Sequence, residues 1–167
     1  MDKTIARHPA WQARTTSSTE WGEVLLVRSQ LGLAGVWIAG QAHHPVSLDA
    51  LPEEPEHPWF LAARAALNDW RQGEAALPPL DPQGTDFQRA VWRLLTQIAR
   101  GSTRSYGELA AELEKPSASR AVGAAVGRNP ISILVPCHRV VGRDGSLTGY
   151  AGGLDLKTRL LRAEGVL

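Results

Sequence analysis

The stretch Leu77-Pro-Pro-Leu-Asp-Pro-Gln-Gly84 divides this chain in two. Proline fixes its own φ and lacks an N–H, so three prolines over residues 78–82 suit neither a helix interior nor a central strand. The run reads as a stiff linker. It predicts an N-terminal domain over 1–78, a linker over 79–84 and a C-terminal domain over 85–167. Charge changes sign across it. Residues 1–83 carry 6 Lys/Arg and 10 Asp/Glu, a net of −4, whereas residues 84–167 carry 12 and 7, a net of +5. A polyanionic partner would therefore bind the second block.

The first block reads as a small sheet with one helix. Glu23 to Ser29 (Glu-Val-Leu-Leu-Val-Arg-Ser) reads as a strand, and Gly32 and Gly35 flank the turn into a second strand ending Val36-Trp37-Ile38. Residues 42–58, rich in proline and histidine around Glu53-Glu54, read as an irregular acidic loop. Trp59 to Trp70 has helical spacing and stops at Gly73. No apolar run approaches the roughly 18–20 residues of a membrane span, and Met1 to Trp11 lacks the apolar core of a secretory signal. These features predict a cytoplasmic protein that needs no membrane.

The second block is helical. Thr85 with Gln88 forms a capping box ahead of an apolar stripe at Phe87, Val91, Leu94/Leu95 and Ile98. Ser105 with Glu108 forms another, opening a short helix that Lys115-Pro116 breaks. A third helix runs from about Ala118 to Gly127. Helix, short break and helix together read as a helix-turn-helix. The third helix is nearly free of bulk, with Ser119, Ala121, Gly123, Ala124, Ala125 and Gly127. Arg120 is its one long side chain near the start. Each interior glycine costs about 1 kcal/mol relative to alanine, which predicts close approach of another body to this backbone.

Asn129-Pro130 ends that helix, and Ile131 to Val135 reads as a buried strand delivering Pro136-Cys137-His138-Arg139-Val140. Cys137 is the one cysteine. That excludes an internal disulfide and any zinc site built from several thiolates. The adjacent His43 and His44 read as a solvated loop, so neither a metal nor a cofactor is expected. A histidine neighbour and a basic surround predict a reactive thiolate at Cys137. Adjacent residues on an extended chain point opposite ways. His138 would then act on the sulfur through an intermediary, which disfavours a protease-like pair.

Pro-Cys-His-Arg-Val, preceded by Arg-Asn-Pro-Ile-Ser-Ile-Leu-Val and followed by Gly149-Tyr-Ala-Gly-Gly153 and Arg162-Ala-Glu-Gly165, resembles the O6-alkylguanine-DNA alkyltransferases, most closely the bacterial, non-inducible, single-protein type. The resemblance is dense from Gly84 to Gly165, including Thr85-Asp-Phe-Gln88 and Ser105-Tyr106, and thin over residues 1–80. It implies an α+β protein: a ribonuclease-H-like N-terminal domain of sheet and helix, then a mostly helical domain with a helix-turn-helix. It implies one irreversible alkyl transfer per molecule, from O6-alkylguanine and also O4-alkylthymine in flipped-out bases of double-stranded DNA to Cys137.

The resemblance also implies the roles. His138 deprotonates the thiol through a water, Glu164 orients the imidazole, and Asn129 is a hinge. Arg120 fills the stack that the flipped base vacates, and Tyr106 rotates the flanking phosphate and donates to guanine N3. Ser105, Ala118, Ser119 and Gly123 border the DNA, whose minor groove the small-residue helix enters. The carbonyls of Cys137 and Val140 and the Ala151 amide read the guanine, Tyr150 walls the alkyl pocket, and Ser132 replaces the proline of some relatives there. A monomer working on the nucleoid is expected.

The alternatives are a non-catalytic binder of alkylated lesions, a transcription regulator and a thiol hydrolase. The first kind lacks the acceptor cysteine. The second needs polar base-reading side chains on the third helix. An esterase assay without DNA tests the third.

Overall fold

The computed structural model describes residues 6–73 and 75–167. Its contacts gather into two units, Met1–Gln83 with Pro130–Leu134, and Gly84–Asn129 with Val135–Leu167. The architecture is mixed α+β. No helix among the described residues is long and apolar enough to cross a membrane.

The first unit is built on an antiparallel sheet in the order β1 (Ala13–Thr19), β2 (Gly22–Arg28), β3 (Leu33–Ile38). The strand β1 has no counterpart in the sequence reading, because its inward residues Ala13, Thr15 and Ser17 are small or polar and leave no apolar alternation. Its hairpin partner β2 supplies the apolar side chains, and Val27, Leu25, Trp37, Trp11, Leu48 and Leu51 share one core cluster. A Cβ on Gly35 would fall inside the Trp37 ring, so only glycine lets the indole lie over the strand. The helix α1 (Pro58–Asn68) starts on His57, whose ring accepts the Trp59 N–H, and buries Phe60, Ala63, Ala66 and Leu67 along one stripe. The Trp21 indole N–H ties that helix to the unit by donating to the Leu67 carbonyl at 2.8 Å.

The second unit follows its capping signals. The helix α2 (Asp86–Leu95) carries the Thr85/Gln88 box and α3 (Tyr106–Glu112) the Ser105/Glu108 box, both reciprocal. Ile98 lies past the end of α2, so the predicted stripe continues into the following turn. After a turn with Glu114 at φ 57°, α4 (Ser119–Gly127) buries Val122, Ala125 and Val126, and the Trp92 indole donates to the Ala125 carbonyl at 2.8 Å. A short parallel pair, β4 (Arg104–Ser105) with β5 (Val140–Val141), and α5 (Leu154–Ala163) complete it.

Residues 131–135 differ from expectation. They form no strand. Ile131 makes a single parallel bridge to Val36, and the chain then turns through Ile133 at φ 69°. An apolar run this short carries no period that separates a strand from a packed turn. Residues 130–134, expected within the C-terminal domain, accordingly pack with the first unit.

Candidate active site

Cys137 opens a 3-10 turn, Cys137–Arg139, rather than ending a strand. Pro136 precedes it, and the Arg139 N–H closes the turn on the Pro136 carbonyl at 3.0 Å. Successive residues of such a turn project about 120° apart, so Cys137 and His138 still diverge, for a different reason than an extended chain would give.

Asn129 reaches the sulfur. Its Nδ2 donates to the Val135 carbonyl at 2.8 Å and to Cys137 Sγ at 3.1 Å. The thiol is 6% exposed, and burial pushes it above its ordinary value even though the Asn129 hydrogen bond and the Lys157 charge pull it down. Desolvation thus works against the thiolate, and the Asn129 amide and the Lys157 charge work for it.

His138 is fully buried, and its Nε2 lies 2.8 Å from Glu164 Oε1, just past the end of α5. Burial lowers the imidazole, against the opposing pull of Glu164. Burial would raise the Glu164 carboxyl, but hydrogen bonds from His138 and Arg139 outweigh it and hold it at about 2. An ionised carboxylate only accepts, so the proton of the neutral ring sits on Nε2 and Nδ1 is the basic nitrogen.

Two cations escaped the sequence reading. Arg139 grips Glu164 through Nε at 2.9 Å and Nη2 at 3.0 Å and gives Nη1 to the Ile98 carbonyl at 2.6 Å. Lys157, with no exposed surface, donates to the carbonyls of Val140 at 2.6 Å, Thr148 at 3.0 Å and Gly149 at 3.4 Å. Burial brings its ammonium down to about 8, with Cys137 opposing. A signal existed: Lys157, Leu160, Leu161 and Glu164 fall at i, i+3, i+4 and i+7, which places two charges on the inward stripe of α5.

The remaining candidates occupy three places. The Tyr150 hydroxyl is buried and has no hydrogen-bond partner, and burial together with the Cys137 and Glu164 charges raises it well above its usual 10. Ala151 follows it in a half-buried turn. Ser105, Tyr106 and Ser119 line a cavity of about 660 Å³ with Arg143, and the Tyr106 hydroxyl donates to the Thr148 carbonyl at 3.1 Å. The Tyr106 ring lies against Gly123, where a Cβ would meet it at 3.6 Å. Ala118 caps α4 without a side-chain bond, and Arg120 is exposed on its first turn. Ser132 stands apart from this set. It belongs to the first unit, where its hydroxyl donates to Gln41 Oε1 at 2.9 Å. Among the described residues no group of three or more His, Cys, Asp or Glu could hold a metal ion.

The family model "6-O-methylguanine DNA methyltransferase, DNA binding domain" matches residues 86–166, which hold every candidate of the second unit. A methylated-DNA–protein-cysteine methyltransferase of Methanosarcina acetivorans is 59% identical over 147 residues, covering 86% of this chain and 92% of that relative. The chain belongs to this methyltransferase family. Another member, from Salmonella typhimurium, is 63% identical over 84 residues, 50% of this chain and 49% of its own. Among solved members, the crystal structure of Mycobacterium tuberculosis OGT in complex with DNA has a TM-score of 0.81 at 40% identity, covering 91% of this chain and 92% of that one.

Proposed function

We propose that this protein is a methylated-DNA–protein-cysteine methyltransferase that repairs DNA by direct reversal, moving the alkyl group of O6-alkylguanine to Cys137. The observation that carries the reading is the buried thiol held by the Asn129 amide, next along the chain to a neutral His138 backed by Glu164. The thiol proton passes to His138 Nδ1 through a water. Sγ then attacks the alkyl carbon, the carbon–O6 bond breaks, and its electrons leave with guanine, which takes the proton back.

The base leaves the duplex to react. Here α3 and α4 act as a helix-turn-helix in the minor groove, bordered by Ser105, Ala118, Ser119 and Gly123, with Arg120 filling the vacated stack. Among the described residues, nothing beyond its chain neighbours and its own helix backbone lies within 4 Å of a Cβ built on Gly127, which leaves that position open to DNA. Tyr106 exchanges the Thr148 carbonyl for the substrate and donates to guanine N3, which improves the leaving group. The Cys137 and Val140 carbonyls and the Ala151 amide read the guanine, Tyr150 shapes the alkyl pocket, and O4-alkylthymine is a second substrate. The N-terminal domain is ribonuclease-H-like and supports a DNA-binding and alkyl-transfer domain over 85–167. The protein acts as a monomer in the cytoplasm, on the nucleoid.

Mass spectrometry after incubation with an oligonucleotide bearing O6-methylguanine tests this. One added methyl on the Cys137 peptide is expected, reaching a plateau at one lesion per molecule. Multiple turnover, or an unmodified Cys137, would overturn it.

A further inference from the structure

Residues 130–134 pack with the first unit, although the chain on either side belongs to the second. This excursion has a neck. Asn129 stands at its start, and its amide closes on the Val135 carbonyl and Cys137 Sγ at its end. The excursion also has a seat. Pro130 accepts from the Val36 N–H at 2.8 Å, Ser132 donates its N–H to the Val36 carbonyl at 3.0 Å, and the Ser132 hydroxyl donates to Gln41 Oε1 at 2.9 Å. That same oxygen accepts the Ile38 N–H at 2.7 Å, which fixes the glutamine to the end of β3, and the Gln41 residue is only 7% exposed.

Between seat and neck lies Ile133 at φ 69°. A β-branched residue there is strained and keeps that backbone only where its surroundings over-determine it. The seat is what over-determines it on one side. Relaxing Ile133 would change the span of five residues whose ends must meet for Asn129 to reach the sulfur.

We propose that Gln41, acting through Ser132, is a positioning residue for the acceptor: the first unit's seat holds the loop in the form that puts the Asn129 amide on Cys137. The inference builds on the alkyl-transfer reading, and its first readout does not depend on it.

Ser132→Ala is a clean probe, because Gln41 Oε1 keeps the Ile38 N–H and no buried acceptor is orphaned. The first readout is the Asn129 side-chain amide in ¹⁵N–¹H spectra, identified by its disappearance in Asn129→Ala. It should move towards the position of an unbound amide in Ser132→Ala, and in Gln41→Met as a second route to the same loss. The second readout is the rate of transfer from O6-benzylguanine. Ser132→Ala should slow it roughly 2- to 12-fold, the value of one net hydrogen bond. In an Asn129→Ala background the same change should slow it less than about 2-fold, because the neck it serves is already gone. An unmoved Asn129 amide, or equal slowing in both backgrounds, would overturn the proposal. An unreactive wild type would overturn the alkyl-transfer reading instead, and the amide signal would still decide this one.

Discussion

Each unit contains an arginine that holds a glutamate with two nitrogens, and the two grips sit in different media. Arg28 meets Glu54 through Nε at 2.7 Å and Nη2 at 2.8 Å, with 33% of the glutamate side chain exposed. Arg139 meets Glu164 at 2.9 and 3.0 Å, with none of that side chain exposed. The geometry is the same and the consequence is not. Near water the pair is screened and worth little. Out of water each charge depends on the other, and the carboxylate it fixes goes on to set the state of His138. The first grip fastens a loop to a strand; the second holds the carboxylate on which the buried His138 ring rests.

The sharpest way to break this contrast is to remove one partner. Glu164→Ala leaves Arg139 buried without its carboxylate, which should cost about 3–5 kcal/mol. In a chain of this size that lowers the thermal midpoint by roughly 6–20 °C, readable by calorimetry. A drop of a degree or two would mean that water reaches the pair.

Acid tests the same pair without mutation. Glu164 is held at about 2 against an ordinary 4.5. A carboxyl depressed on folding contributes stability that is present above its unfolded value and lost as pH falls through the folded one. The window is therefore pH 5 down to 2, and the loss is about 3 kcal/mol. Denaturant titrations across that window should show it in the wild type and show a flatter acid limb in Glu164→Gln.

Alkylation should leave a smaller mark. A methyl added to a 6%-exposed sulfur overpacks its surroundings and displaces the Asn129 amide, for about 1–3 kcal/mol. The methylated protein should melt roughly 2–12 °C below the unreacted one after DNA is removed. An equal or higher midpoint would show that the pocket already has room for the product.

The smallest effect belongs to the first unit. Arg28→Ala should change stability by less than about 1 kcal/mol, under about 4 °C in midpoint, with transfer to Cys137 unaltered. A larger loss would erase the distinction between the two grips.

What the sequence made legible followed local signals. The capping boxes at Thr85 and Ser105 use residues three apart, so they could be read directly and they placed α2 and α3. The strand β1 was invisible because sheet pairing, not its own polar residues, makes Ala13–Thr19 a strand. The turn at Ile133 was misread because its cause lies in Val36 and Gln41, about ninety residues away. At the site, Cys137 and its neighbour His138 stood out from the residues themselves, whereas the roles of Asn129 and Glu164 came from resemblance. Arg139 and Lys157 went unread although buried cations must find acceptors, which the inward stripe of α5 already announced.

The Thr148 carbonyl accepts from both the Tyr106 hydroxyl and the Lys157 ammonium. A carbonyl oxygen has two lone pairs, and here each has a taker. Without the Tyr106 hydroxyl the oxygen would keep one donor and stand at an exposed residue, so no buried acceptor would be stranded. Replacing Lys157 would take the donor from three carbonyls at once, those of Val140, Thr148 and Gly149.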